Sequence, residues 1–201
     1  HKIRKKRVKP FFDDKTQLDL NCLWVSALVN ANKVLPNQNY LKEAEDLFEK
    51  IDNYFLKKNI CHSNSKSRVF LEDYAYTINA LLDLYEVTFK QNYRVKAHDL
   101  CKETISKFYL KEKKIFQKNE ILNNDIFSSP IDISDHTIPN GNSIMLLNFV
   151  RLNFKEESKE LAESLNGYLN VYKLLMTSSL EVLDIYNNIE KSKVCDTKGC
   201  K

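Results

Sequence analysis

Three glycines and four prolines in 201 residues are too few for a fold built on many tight turns. That scarcity argues against an all-β sandwich or barrel and favours long helices. No apolar run approaches the roughly 20 residues that a membrane-spanning helix needs. The basic opening HKIRKKRVKP is followed by no apolar stretch, so it is not read as a secretory signal. The chain does not begin with Met, and a fragment of a longer protein is expected. Five cysteines, Cys22, Cys61, Cys101, Cys195 and Cys200, are odd in number and irregularly spaced. Three fall inside apolar helical patterns, where a thiol behaves as a small hydrophobe. Such usage suits a reducing cytoplasm better than a disulfide scaffold, and a cytoplasmic protein is expected.

What is present is ordinary for a globular chain, with 43% hydrophobic and 29% charged residues. The length supports one domain with its own core. The net charge of +4 hides an asymmetry. Lys2, Arg4, Lys5, Lys6, Arg7 and Lys9 carry six positive charges, which leaves the remainder at −2. A basic arm on an acidic body is a possible nucleic-acid or lipid contact. No nucleic-acid-binding motif accompanies it, so residues 1–10 are read as a solvated connector, with neither nucleic acid nor membrane expected as partner.

Helical periodicity is strong. In NYLKEAEDLFEKIDNYFLKK the apolar positions Tyr40, Leu41, Ala44, Leu47, Phe48, Ile51, Tyr54 and Phe55 form an i, i+3, i+4, i+7 stripe. Leu18–Leu35 and Phe70–Phe89 are apolar on more than one face and predict buried helices; Arg94–Tyr109 predicts an amphipathic one. Asn142–Phe154 again has buried character, and Glu156–Leu175 is amphipathic. Lys113–Asn123 is compatible with a small β-hairpin. The alternation is also an internal repeat: a 53-residue shift sets Asn39-Tyr40 on Asn92-Tyr93, Ala44 on Ala97, Asp46-Leu47 on Asp99-Leu100, and Phe55 on Phe108. Such periods mark stacked helical hairpins. Periodicity leaves two architectures open, an α-solenoid and an α/α toroid whose more apolar helices form the inner ring.

Polar clusters stand at or near the start of each buried-type helix: FFDDKTQLDLN, FLEDYAY and DHTIPNGNS. Their recurrence once per repeat points to a shared site, since unpaired buried charge is costly. These stretches resemble a known family. RVKPFFDDKTQLDLN, FLEDYAYTINALLDLYEVTF, DHTIPNGNS and the terminal VCDTKGC are similar, in order and spacing, to motifs of the thioredoxin-domain proteins related to spermatogenesis-associated protein 20. Leu20 stands where that family has Trp, Cys22 where it has Gly, Glu72 where it has Asp, His136 where it has Gly, and Asn140 where it has Ser. The resemblance implies an all-α fold: helical hairpins over residues 11–190 forming part of an α/α toroid like those of six-hairpin glycosidases and N-acylglucosamine 2-epimerases. The ring is incomplete, and residues 191–201 form a Cys-pair tail. It implies a carbohydrate-related function, epimerase- or glycosidase-like, coupled to a thioredoxin-like domain outside this chain. A non-catalytic scaffold serving such a domain is the alternative. A carbohydrate ligand and self-association closing the ring are the remaining partner expectations, and no cofactor is expected.

Candidate catalytic residues are Asp14, Asp73 and Asp135. Candidate substrate-binding residues are Asp13, Lys15, Asn21, Tyr74, His136, Gly141 and Asn142. Asp13, Asp14 and Lys15 suit hydrogen bonding to sugar hydroxyls, because a carboxylate beside an ammonium stays ionised; equally, acids there complement a helix dipole. Asp73 is expected to point into the cavity while Glu72 faces elsewhere. Pro139, Asn140 and Gly141 read as a turn with φ > 0 available at Asn140-Gly141, and Asn142 or Ser143 as the cap of a helix from Ile144. His136 has proton-transfer chemistry but no counterpart in the family; His62 and His98 are expected to be structural or solvated. Cys195 and Cys200 read as a disulfide or a reduced tail rather than a zinc site.

Overall fold

The computed structural model describes residues 4, 6–36, 39–57, 60–65, 68–120 and 130–198, with side chains to residue 189. Seven α-helices occur among them: α1 (Leu18–Val34), α2 (Tyr40–Ile51), α3 (Leu71–Thr88), α4 (Gln91–Phe108), α5 (Gly141–Leu152), α6 (Lys155–Tyr172) and α7 (Thr177–Lys198). A π-helical turn, Asp52–Leu56, prolongs α2, and a 3-10 turn, Lys173–Leu175, ends α6. The one β-hairpin of the described residues pairs β1 (Tyr109–Leu110) with β2 (Ile115–Phe116), Tyr109 opposite Phe116. It lies earlier than the expected Lys113–Asn123. Lys114 takes a left-handed φ of 52° in its turn, and the segment after β2 runs on to cap α3. None of the described helices is long and apolar enough to cross a membrane.

The helices form two layers. α1 packs on α3, α3 on α5 and α5 on α7, while α2, α4 and α6 each cover the helix that precedes them. The inner helices start on one common face, because residues at the beginnings of α1, α3 and α5 line a single cavity. The 53-residue repeat is a structural one. Ala44 and Ala97 are both fully buried, as are Phe55 and Phe108 nearly so. The same shift carries Leu18, Cys22, Val25, Leu28 and Val29 of α1 onto Leu71, Ala75, Ile78, Leu81 and Leu82 of α3, and all ten are core residues. Tyr74, Tyr76, Phe108, Phe116 and Phe149 are the largest fully buried side chains among the described residues. α7 continues through residue 198, past the expected start of the tail at 191. The proposed Cys195–Cys200 pairing lies outside the described residues.

Gly141 is the first residue of α5, three residues before the expected start at Ile144, and the cap is neither Asn142 nor Ser143. Asn140 is the N-cap: its side-chain oxygen accepts from the Ser143 amide at 3.0 Å. Asn140 has φ −69°, so neither it nor Gly141 exploits the left-handed region. Glycine is needed for close approach. A Cβ at 141 would lie 2.9 Å from both Cγ and Cδ2 of Leu71, itself buried. Gly141→Ala is therefore expected to lower stability by about 1–3 kcal/mol in urea unfolding. Gly167, exposed in α6 with nothing within 4 Å of its Cβ position, is the contrast. Gly167→Ala should raise stability by about 0.5–1 kcal/mol.

Candidate functional site

An α-helix leaves its first amide N–H groups without partners, and the loops that supply acceptors here build the site. The amide of Leu18, opening α1, donates to the His62 carbonyl at 2.8 Å, and Asn64 returns a bond to the Thr16 carbonyl at 3.1 Å. His62 is thereby set against Asp19 in the first turn of α1. The amide of Leu71, opening α3, donates to the Lys118 carbonyl at 2.9 Å, which brings Lys118 to Glu72. Asn142, fully buried, accepts from the Phe116 amide and donates to the carbonyls of Phe116 and Asp132. It ties β2 and the residue-132 segment to α5. Asp135 caps α7: it accepts from the Ser178 amide and hydroxyl, from Thr177 and from the backbone and side-chain amides of Asn140.

These segments enclose a cavity of about 320 Å³ lined by Asp19, His62, Phe70, Glu72, Lys118, Asp132, Ser134, His136 and the chain from Ile138 to Asn140. Asp19 and Glu72 occupy equivalent positions in the 53-residue repeat. Desolvation raises both carboxyl pKa values, with the charge of Asp73 adding to the rise at Asp19. Glu72 can thus keep a proton further toward neutrality than an exposed glutamate, the property a general acid needs. Lys118 pairs with Asp132 at 3.2 Å, and His136 stands 3.9 Å from the same carboxylate with its side chain mostly exposed.

Asp73 has no exposed surface. It lies behind the cavity wall, where its Oδ1 takes the Nδ1–H of His62 at 2.9 Å and its Oδ2 the Phe70 amide at 2.9 Å. The second bond is the backward half of a capping box. The Nε2 of the same ring meets the side-chain nitrogen of Gln17 at 3.0 Å, and Phe70 packs edge-on against the ring. The hydrogen bond to Asp73 is the chief cause of a raised His62 pKa, opposed by desolvation. Asp19, His62 and Asp73 place one potential ligand atom each within 4.8 Å of the others.

The predicted residues divide accordingly. His136 lines the cavity. Asp73 adjoins it through His62, and Gly141 follows the lining residue Asn140, where a Cβ at 141 would stand 3.3 Å from Oε1 of Glu72. The expected orientation of the 72–73 pair is reversed, since Glu72 faces the cavity and Asp73 is enclosed. Asp135 and Asn142 are engaged in capping and stapling. Tyr74 points to the outer layer, donating to Glu103 at 2.7 Å and accepting from Lys107 at 2.9 Å. Asp13, Asp14 and Lys15 lie on exposed extended chain before α1, Lys15 paired to Asp13 at 3.2 Å. They are outside the first turn of a helix and away from the cavity lining. Asn21 lines a separate, more open groove of about 620 Å³ beside the end of α2. Sequence reasoning missed Asp19, His62, Lys118 and Asp132. The repeat contained a signal for Asp19, which falls on Glu72 under the same 53-residue shift.

No family model matches the chain. It is 30% identical over 176 residues to the uncharacterized protein B0495.5 of Caenorhabditis elegans, covering 81% of this chain and 24% of the relative. The chain thus spans about a quarter of the length of that curated relative. Among solved structures it is similar to a GH76 α-mannanase of Bacteroides thetaiotaomicron, with TM-score 0.63, 13% identity, and coverage of 78% of this chain and 46% of that one. The cellobiose 2-epimerase of Bacillus thermoamylovorans superposes with TM-score 0.57 and 20% identity, over 80% of this chain and 45% of the epimerase. A sugar epimerase from a ruminal bacterium gives TM-score 0.57 and 14% identity, over 77% and 43%. The fold is that of the six-hairpin α/α toroids, and the chain spans less than half the length of these structures.

The His62–Asp73 contact predicts a titration. In the presence of EDTA, the His62 ring resonances should titrate above the usual histidine midpoint, and Asp73→Asn should move that midpoint down. Because the folded pKa is raised, the contact's contribution to stability is complete below the unfolded value and is lost as pH rises through the folded one. A midpoint unchanged in Asp73→Asn would contradict this.

Proposed function

We propose that the chain is part of a six-hairpin toroid protein that binds and acts on carbohydrate in the cavity at the starts of α1, α3 and α5. The observation carrying this is Glu72: a desolvated carboxyl group that, with the equivalent Asp19, lines a polar cavity in a fold shared with named mannanases and sugar epimerases. In this reading Glu72 donates a proton to a sugar oxygen. Asp19, His62, His136 and Lys118 hydrogen-bond to hydroxyls, and Asp73 positions His62. The chemistry is epimerase- or glycosidase-like. We assign the whole protein to the thioredoxin-domain proteins related to spermatogenesis-associated protein 20, with a thioredoxin-like domain as partner and a cytoplasmic location; the motif resemblance supports this.

The non-catalytic alternative has its own support, since Asp73, Asp135 and Asn142 are all bonded within the fold. A ligand panel separates the two. With α-mannosides, cellobiose and N-acylated hexosamines, saturation-transfer NMR on this chain should give signals for at least one sugar, and Glu72→Gln should abolish them. No signal across the panel favours the scaffold.

The same substitution carries a stability prediction. A raised carboxyl pKa means that stability falls as pH rises from the unfolded pKa through the folded one. Glu72→Gln removes that penalty. The variant should match the parent near pH 4 and show the higher thermal midpoint at pH 7. A lower midpoint for the variant at pH 7 would show that the Glu72 carboxylate is stabilising instead.

A further inference from the structure

We propose that Asp19, His62 and Asp73 form a divalent-cation site in the wall of the cavity, one nitrogen and two carboxylates suited to Mn²⁺ or Zn²⁺. The three ligand atoms come from three segments that the fold brings together: the first turn of α1, the loop before α3, and the first turn of α3. They lie within 4.8 Å of one another, and drawing them onto bonds of about 2.1 Å takes on the order of an ångström of side-chain movement.

Charge is the second observation. Asp73 is fully enclosed and Asp19 is 8% exposed. Among the described residues, neither is paired with a lysine or arginine; the basic group beside them is His62, which pairs with Asp73 and not with Asp19. Asp19 accepts from the Leu20 amide at 2.8 Å and lines the cavity. A carboxylate more than nine-tenths buried therefore stands close to a second, fully buried carboxylate. Two such groups and one imidazole leave an uncompensated negative charge, which a divalent ion would neutralise.

The surroundings resemble the outer shell of a metal centre. The Phe70 amide holds Oδ2 of Asp73, Gln17 holds Nε2 of His62, and Phe70 fixes the ring plane. Without metal, Nδ1–H donates to Asp73 and Nε2 accepts from the Gln17 amide. Coordination takes the Nδ1 lone pair. The ring proton then sits on Nε2, and Gln17 turns its amide to present oxygen. From imidazolium one proton leaves to solvent; from neutral imidazole none does. Imidazole with carboxylates suits Mn²⁺ and Zn²⁺ better than Mg²⁺. Asp19 and His62 both line the cavity, so the remaining coordination positions face it and are available to water or a ligand hydroxyl.

The test uses the whole 201-residue chain, stripped with EDTA and dialysed. Titration with MnCl₂ should remove the free-ion electron paramagnetic resonance signal up to one ion per chain, and ZnCl₂ should restore it by competition. Asp19→Asn and, independently, His62→Gln should each weaken Mn²⁺ at least fivefold. Replacing Cys195 and Cys200 with serine should leave it unchanged. Absence of stoichiometric Mn²⁺ binding, or a change under fivefold in both variants, overturns the site. The sugar panel plays no part in this readout, so the metal site and the carbohydrate reading stand or fall separately.

Discussion

Four inner helices begin on one face of the molecule, and their unpartnered amide N–H groups are the constraint on which the rest is built. The fold answers three of them with acceptors brought from elsewhere in the chain: the His62 carbonyl for α1, the Lys118 carbonyl for α3, and Asp135 for α7. α3 and α5 also supply acceptors of their own, through Asp73 and Asn140. Each capping loop brings a polar side chain to the same place. His62 and Lys118 reach the cavity because their backbones cap helices, and His136 because it follows the capping Asp135. The cavity is the by-product of closing helix ends, which is why its lining comes from five stretches of sequence and still converges.

That arrangement concentrates opposing electrostatic demands. Helix N-termini favour carboxylates, and Asp19, Glu72 and Asp73 occupy first turns. Enclosure by capping loops withdraws them from water, which disfavours ionisation. The outcomes differ by partner. Asp135 gains enough hydrogen bonds from Ser178 and Asn140 to overcome its desolvation, and its pKa falls. Glu72 and Asp19 gain too few, and theirs rise. The two carboxyl groups whose pKa values rise are both ones that face the cavity.

Close packing fixes how near the inner helices sit. Gly141 lets α5 meet Leu71 at a distance that no side chain would allow, and Asn142 then reaches β2. On the outer side, Tyr74 is anchored by Glu103 and Lys107, which keeps α4 seated on α3. Buried thiols at Cys22 and Cys101 fill space, their pKa values pushed by burial to about 12, far from the reactive range.

The amphipathic stripes, the 53-residue repeat and the alternation of buried with half-buried helices were legible from residue order alone, because helical periodicity is a local property read over a few turns. The polar clusters at helix starts were legible for the same reason. α7 escaped notice because Leu180 and Ile185 remain exposed and no clean stripe marks it. Which carboxylate of Glu72-Asp73 faces the cavity was decided by tertiary structure. Adjacent residues on a helix point about 100° apart, and only the arrival of His62 and Phe70 against one side determines which is enclosed. The purpose of Gly141 was likewise invisible until Leu71, 70 positions away in sequence, was set against it. Residue order specifies the helices; the contacts that decide which polar groups stay wet or become buried are made between segments far apart in the chain.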